Sequence, residues 1–249
     1  GLKTLLNSKH SAKEGICIYI GERGDKAIRK YNKFIPKQDE GYFLRITPKE
    51  IVLAGNDEQG TFYAVQTLKQ LLNDNQLPIT EITDYPEVRF RGVVEGFYGT
   101  PWSHQARLRH LKFYGENKMN TYIYGPKDDP YHSSPNWRLP YPEQEAKQIK
   151  ELVQIAKENA VNFVWAIHPG KDIKWNQEDR DNLLGKFQKM YELGVRSFAV
   201  FFDDISGEGT NPDRQAELLN YIDEQFVKVK KDVTPLIMCP TEYNKSWSN

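Results

Sequence analysis

The sequence predicts an α/β protein in which an incomplete TIM (β/α)8 barrel, with about five of the eight strands, follows a small α+β domain. Downstream of Pro86, apolar strand-like runs alternate with helical patterns and recur roughly every 30–40 residues, the length of a βα unit. Polar residues crowd the ends of these runs, as expected for a barrel whose site lies at its carboxyl face. The change of rhythm at Asp84-Tyr85-Pro86 predicts a small domain over residues 1–85 and the first part of the barrel over 86–249.

The small domain is predicted from three short β-rich runs and one helix. Residues 15–20, 42–46 and 50–54 are apolar and β-branched runs bounded by turn residues, which is typical of strands. Residues 61–72 place apolar side chains at helical spacing.

The barrel part is predicted from five strand–helix repeats. Strands are expected at residues 91–95, 120–124, 162–167, 197–202 and 235–239, and helices at 104–116, 143–158, 177–193 and 213–230. The strand runs are almost entirely apolar, as in parallel strands buried on both faces. A doubly wound sheet would have the same rhythm, but no Gly-x-Gly-x-x-Gly follows the first strand, which disfavours a dinucleotide site.

Composition excludes several classes of function. Lys and Arg together number 34, as do Asp and Glu, so the net charge is zero and bulk attraction to nucleic acid or anionic membranes is not expected. No apolar run is long enough for a membrane span. Cys17 and Cys239 are far apart, which excludes a disulfide framework and a Cys-x-x-Cys metal motif. No cofactor is predicted.

The most informative local feature is the pair of acids, Asp203 and Asp204, that ends the run at residues 197–202. Successive strand residues point to opposite faces, so both can enter one site only where the strand ends. Two carboxylates held together acquire different pKa values, which suits acid/base chemistry. The acids could also lie in a solvated turn before a helix, or bind a metal with His168 or Asp172, although no His-x-x-x-His spacing is present.

Two further strand ends carry candidate binding residues. In GVVEGFYGTPWS, Gly96 permits close backbone approach to a ligand, the aromatics offer a stacking surface, and Ser103 can cap the next helix. In YGPKDDPYH, Lys127 can donate hydrogen bonds to hydroxyl groups. Taken singly, these residues are equally compatible with turn formation, core packing and an exposed surface lysine.

In combination, the strand-end motifs resemble those of glycoside hydrolase family 84, which includes the bacterial and human O-GlcNAc hydrolases. The motifs are EGFYGTPWS, YIYGPKDDPYH, FFDDI and MCPTEYN, and they occur in this order. The preceding ITPKEIVLAGNDEQGTFYAVQTLKQLL resembles the small domain that precedes the barrel in families 20 and 84.

The resemblance implies a retaining exo-β-N-acetylglucosaminidase in which the substrate's own 2-acetamido oxygen attacks C1 and forms an oxazoline. By motif match, Asp203 would orient and polarise the acetamido N–H. Asp204 would protonate the leaving oxygen and then activate water. No catalytic metal is expected.

The resemblance also implies the binding residues. Gly96, through its backbone, and Lys127, through its ammonium, would contact sugar hydroxyls. Tyr243 would hydrogen-bond near the acid pair, and Cys239 would lie close to the acetamido pocket. The family's remaining sugar-binding Asp, Asn and Trp come from later barrel strands, which lie outside this sequence.

The sequence and the resemblance also lead to expectations about missing strands, binding partners and cellular location. The small domain is expected to lack its first strands, and the chain alone could be inactive unless a second chain completes the barrel. The expected partner is an N-acetylglucosaminide on a glycoprotein or glycan, with no nucleic acid and no membrane. The alternatives are a family 20-like β-hexosaminidase, which would carry Asp-Glu rather than Asp-Asp, and a non-catalytic carbohydrate-binding fragment. Resemblance to bacterial members suggests a secreted or periplasmic protein.

Overall fold

A four-stranded sheet and a five-stranded sheet organise the protein, as seen in a computed structural model that describes residues 15–246. The chain divides after Arg89 into two units, and each unit contains one of the sheets.

The first unit contains a mixed sheet with the strand order β1-β3-β2-β4. Its strands are β1 (Cys17–Glu22), β2 (Tyr42–Ile46), β3 (Glu50–Gly55) and β4 (Thr80–Asp84). Strand β1 is parallel to β3, whereas β2 is antiparallel to both β3 and β4. Helix α1 (Glu58–Leu71) packs on one face, and a 3-10 helix (Lys26–Tyr31) packs on the other.

Three differences from the sequence-based prediction occur in this unit. Strand β1 spans Cys17–Glu22 rather than residues 15–20. Strand β4 was not predicted, because its sequence TEITD contains one apolar residue, Ile82, and most of the strand is solvent-exposed. Helix α1 begins at Glu58 rather than at residue 61, because the Asp57 side chain accepts a hydrogen bond from the Gly60 amide and caps the helix earlier.

The second unit is a curled, all-parallel half-barrel with the strand order β5-β6-β7-β8-β9. The elements are β5 (Gly92–Glu95), α2 (His104–Glu116), β6 (Thr121–Tyr124), α3 (Glu143–Glu158), β7 (Asn162–Ile167), α4 (Gln177–Glu192), β8 (Ser197–Phe201), α5 (Pro212–Ile222) and β9 (Ile237–Cys239). The predicted incomplete barrel is therefore confirmed. Ser103 caps α2 as expected, by accepting from the Ala106 amide at 3.2 Å.

The last helix departs from its prediction. The α-helical part ends at Ile222, and a π-helical turn follows over Asp223–Val227. The wider turn changes the helical register after Ile222, so Val227 is buried whereas Val229 is 67% exposed.

The two faces of the half-barrel differ in what covers them. On the outer face, side chains such as Trp165 and Phe198 pack against the helices and are fully buried. The inner face carries Val164, Ala199 and Phe201, together with Val94, which is 52% exposed. No helix within residues 15–246 is long and apolar enough to cross a membrane.

Candidate active site

The candidate site lies where β5–β9 end. All five strands are parallel, so their carboxyl ends meet at one edge of the sheet. The loops that leave this edge carry the predicted residues Gly96, Lys127, Asp203, Asp204 and Tyr243, and Cys239 ends β9.

Asp203 is the central group of this edge. Its Oδ2 accepts a hydrogen bond of 2.6 Å from Nζ of Lys127, which follows β6 and is only 4% exposed. Burial alone would raise the pKa of the Asp203 carboxyl. The neighbouring His168 ring and the Lys127 ammonium outweigh burial and hold that pKa well below its usual range. Asp203 is therefore expected to be ionised near neutral pH.

Asp204 has a different environment from its neighbour. It is exposed, and its φ of 56° lies in the left-handed region that few non-glycine residues adopt. The carboxylates are thus not buried side by side, since only Asp203 is largely withdrawn from solvent. Burial raises the pKa of the Tyr98 phenol, and the adjacent Asp204 carboxylate raises it further, which places Tyr98 of the β5 loop beside Asp204.

Cys239 is brought to the acids by the last strand. Burial raises the pKa of its thiol, Asp203 raises it further, and Lys127 opposes the shift. The Cys239 carbonyl accepts a hydrogen bond of 2.9 Å from the Phe202 amide, which ties β9 to the residue before the acid pair. Cys239 is thus a neutral thiol next to an ionised carboxylate.

The other two predicted binding residues lie on loops at the same edge. Gly96 directly follows β5, and a Cβ at this position would meet only the Val94 side chain, at 3.2 Å. Tyr243 follows β9 and is 59% exposed. The roles predicted for both residues stay predictions.

Glu95 shows that a strand-end acid need not join the site. Its side chain points to the helix side of β5 and is fully buried. Arg107 on α2 donates to both carboxylate oxygens, at 2.8 and 2.7 Å, and the Tyr122 hydroxyl and the Trp102 amide also donate. Glu95 therefore fastens β5 to α2.

Sequence reasoning considered His168 only as a metal ligand. In the structure, its Nε2 lies 2.6 Å from the main-chain oxygen of Asp203. Asp172, the other candidate ligand, accepts hydrogen bonds from Trp137 and Arg138 at 2.7 and 2.9 Å. Within residues 15–246, no three His, Cys, Asp or Glu side chains converge as a metal site would require.

The arrangement pairs a half-buried carboxylate that is ionised near neutral pH with an exposed one on the next residue. The ionised group can accept an N–H and stabilise positive charge, but it cannot donate a proton. The exposed carboxylate can exchange a proton with a bound molecule or with water. Such a division of roles suits acid/base chemistry on a substrate that develops positive charge.

Comparison with family models covers nearly the whole chain. The model described as β-N-acetylglucosaminidase matches residues 91–249, and the model described as glycosyl hydrolase family 20, domain 2 matches residues 3–85.

Among individual proteins, the chain is similar to Protein O-GlcNAcase of Rattus norvegicus and of Mus musculus. Identity is 35% over 158 residues, which is 61% of this chain and 17% of each relative. A β-hexosaminidase of Porphyromonas gingivalis is 35% identical over 95 residues, or 33% of this chain and 12% of the relative. The chain thus spans less than a fifth of the length of these relatives.

Solved structures give longer matches. CpGH84B superposes with a TM-score of 0.78 and 50% identity, over 83% of this chain and 37% of that chain. CpGH84D gives a TM-score of 0.79 and 31% identity over 96% of this chain and 42% of that one. A mutant O-GlcNAc hydrolase of Thermobaculum terrenum gives a TM-score of 0.57 and 37% identity, over 62% of this chain and 36% of that chain.

Proposed function

The chain belongs to the β-N-acetylglucosaminidase family, glycoside hydrolase family 84, and on that premise we propose that it carries the acid pair of a retaining exo-β-N-acetylglucosaminidase. The substrate would be a terminal β-linked N-acetylglucosamine on a glycoprotein or glycan. The observation that carries the proposal is the ionised Asp203, paired with Lys127 and directly followed by the exposed Asp204.

In the first step, the 2-acetamido oxygen of the substrate forms a bond to C1 while the bond from C1 to the leaving oxygen breaks. Asp203 accepts the acetamido N–H and stabilises the positive charge of the cyclic intermediate. Asp204 transfers its proton to the leaving oxygen. The lowered pKa of Asp203 supports this assignment, because a carboxyl that is ionised at the working pH is not the proton donor.

In the second step, Asp204 removes a proton from water as the water oxygen attacks C1. The bond between C1 and the acetamido oxygen breaks, which restores the acetamido group and leaves the anomeric configuration retained. Both acids return to their initial protonation states, so the cycle needs neither a metal nor a redox cofactor.

The binding residues complete the proposal. Gly96 contacts sugar hydroxyls through its backbone, Tyr243 hydrogen-bonds near the acids, and Cys239 borders the acetamido pocket. Lys127 has a competing role, because its ammonium is already bonded to Asp203 and its side chain is only 1% exposed. Its predicted contact with a hydroxyl requires the ammonium to turn partly away from Asp203 when the sugar binds.

The test compares Asp203→Asn and Asp204→Asn on aryl β-N-acetylglucosaminides whose leaving groups differ in acidity, in a form of the protein that is active. With a poor leaving group, loss of the general acid should slow the reaction about 10²–10⁴-fold. A very acidic leaving group needs no proton, so it should largely rescue the first step in Asp204→Asn but not in Asp203→Asn.

Glu208→Gln is a suitable control, since Glu208 is an exposed acid four residues beyond Asp204. It should leave all rates unchanged. Equal losses on both kinds of substrate in the two Asn variants would contradict the assigned roles. Hydrolysis of the matching glucoside, which lacks the acetamido group, at a similar rate would contradict the substrate-assisted route.

A β-hexosaminidase activity like that of family 20 is the second candidate, supported by the similarity of the chain to a β-hexosaminidase of Porphyromonas gingivalis. Assay of the N-acetylgalactosaminide beside the N-acetylglucosaminide separates the two, because rejection of the axial 4-hydroxyl supports the first candidate. Sugar binding without turnover would instead support a carbohydrate-binding fragment.

We also propose that residues 1–85 and 86–249 are separate domains and that further strands complete the barrel, from more of the same polypeptide or from a second chain. The edge strands β5 and β9 and the exposed Val94 support this, since unpaired strand edges favour association. Sedimentation of the 249-residue chain tests it. A compact monomer with full activity would contradict it.

A further inference from the structure

Adjacent acids at the end of a strand pose a geometric problem that the fold has to solve. Successive strand residues point to opposite faces, yet both carboxylates are needed at one site. The chain solves this with the left-handed φ of 56° at Asp204, which departs from the strand path directly after Asp203. A non-glycine residue persists in this conformation only where its surroundings hold it.

The group that holds the peptide between the two acids is the imidazole of His168, at the end of the neighbouring strand β7. Its Nε2 lies 2.6 Å from the Asp203 main-chain oxygen and 3.5 Å from Asp203 Oδ1. Both partners are oxygen acceptors, so Nε2 carries the hydrogen in whichever protonation state the ring adopts. The shorter contact is a hydrogen bond, and the longer one is an electrostatic contact.

The His168 ring is enclosed by the protein, and within residues 15–246 its Nδ1 has no hydrogen-bond partner, so Nε2 makes its polar contacts. His168 is fully buried, and its backbone amide donates to the His132 carbonyl at 2.8 Å. The rings of His168 and His132 are neighbours, with centroids 6.1 Å apart and planes tilted by 38°. A donor with so little freedom can impose a position on its acceptor.

We propose that His168 is a positioning residue for the acid pair: its Nε2–H fixes the carbonyl of Asp203, and with it the turn that directs Asp203 and Asp204 into one site. This inference rests on the proposed function for its catalytic consequence, but its structural part does not depend on turnover.

Lys127 and His168 contact different parts of Asp203. Lys127 holds the side chain through Oδ2, whereas His168 holds the main chain. The other titratable groups facing Asp203 are Asp204 and the Cys239 thiol, with Tyr98 beyond Asp204. Burial lowers the pKa of His132 to about 4, so that ring is uncharged near neutral pH and adds no field of its own.

Loss of the His168 N–H should change the pKa of the Asp203 carboxyl in a defined direction. His168 helps to keep the pKa of Asp203 low against the opposing effect of burial. Removing its N–H leaves burial less opposed, so the Asp203 carboxyl should protonate at higher pH. A role in packing alone would not move this titration.

The experiment uses a matched pair of variants, His168→Gln and His168→Met. The two new side chains have similar volume, but only glutamine keeps an N–H donor near the position of Nε2. In an active form of the protein, His168→Met should lower kcat about 10–100-fold, as expected for a misplaced catalytic group. It should also raise the acid limb of the kcat/KM profile by about one pH unit. His168→Gln should recover most of both losses, and His132→Met is the control for cavity and packing effects.

A second measurement does not need turnover. The carboxyl carbon of Asp203 is labelled with ¹³C, and its NMR signal is assigned by its disappearance in Asp203→Asn. The pH dependence of this signal is then measured in the wild type, in both His168 variants and in His132→Met. A midpoint that rises in His168→Met but not in His168→Gln or His132→Met supports the proposal. Unchanged midpoints in all variants, or equal shifts in the two His168 variants, would overturn it. If these midpoints behave as proposed but a form of the protein with a complete barrel cleaves no N-acetylglucosaminide, the proposed function is refuted and the positioning role stands.

Discussion

Removal of Arg107 is the sharpest test of how the first barrel strand is anchored. The carboxylate of Glu95 is fully buried and accepts hydrogen bonds from Arg107 Nε, Arg107 Nη2, the Trp102 amide and the Tyr122 hydroxyl. In Arg107→Met, both charge-assisted bonds disappear while the carboxylate stays buried. The contact of the guanidinium with the Tyr124 ring, 4.7 Å from its centroid, is lost as well.

The expected loss of stability is large for a single substitution, because both partners are buried. Breaking a buried ion pair by removing one partner typically costs about 3–5 kcal/mol, because an uncompensated charge remains. A domain's whole stability is about 5–15 kcal/mol. Adding Glu95→Gln should return about 1–3 kcal/mol, because the neutral amide oxygen can still accept from Trp102 or Tyr122 and no buried charge is left unpaired.

Urea unfolding followed by tryptophan emission measures this effect in the barrel unit alone, since all five tryptophans lie beyond residue 90. The midpoint should fall without a change in slope. Arg180→Met is the control, because the Arg180–Glu217 pair is similarly short at 2.6 Å but its side chains are 23% and 62% exposed. Its loss should cost no more than about 1 kcal/mol. Equal losses at both arginines, or a double variant less stable than Arg107→Met, would refute the reasoning.

Three further predictions concern packing, pH and metal. Gly92→Ala should destabilise the barrel unit by about 1–3 kcal/mol, because the Cβ of the new alanine would lie 1.7 Å from the main-chain oxygen of Thr121. Gly185→Ala, in open space on α4, should be neutral or stabilising in the same melt. Burial lowers the pKa of Lys186 to about 7, and Asp129 opposes this shift. In the unfolded chain the lysine keeps its ordinary, higher pKa, so above pH 7 the unfolded chain binds more protons than the folded chain. Stability should therefore gain from this group as pH rises toward 10, and the gain should vanish in Lys186→Met when unfolding is measured across that range. Chelator treatment should leave glycosidase activity unchanged, and loss on chelation with recovery on adding a divalent ion would contradict the metal-free mechanism.

The parallel strands were predictable because each is an apolar run that needs burial on both faces. Strands β6, β7 and β8 lie within one residue of their predicted bounds, and helices α2 and α3 match theirs. Where a strand is mostly exposed, as β4 is, its sequence carries no apolar pattern from which it could be predicted. The apolar pattern also does not reveal a change of backbone geometry within an element, such as the π-helical turn after α5.

The candidate site was predictable as a list of residues and not as a set of contacts. Lys127 and Asp203 are 76 positions apart, and only the parallel order of β6, β7 and β8 brings their loops together. Nothing in the local sequence reveals that the lysine donates a hydrogen bond to the aspartate. The same holds for His168, whose hydrogen-bond partner is a main-chain atom and leaves no pattern of residue types.

The adjacency of Asp203 and Asp204 shows most clearly what a sequence leaves undetermined. Aspartate tolerates a left-handed φ better than most residues, but it adopts the ordinary regions far more often, so the letters Asp-Asp do not encode the turn. The turn depends on contacts from two neighbouring strands: the bond from Phe202 to the Cys239 carbonyl on β9, and the bond from His168 after β7 to the Asp203 carbonyl. The conformation of the two consecutive aspartates is therefore set by hydrogen bonds between the strands on either side and the peptides that flank them.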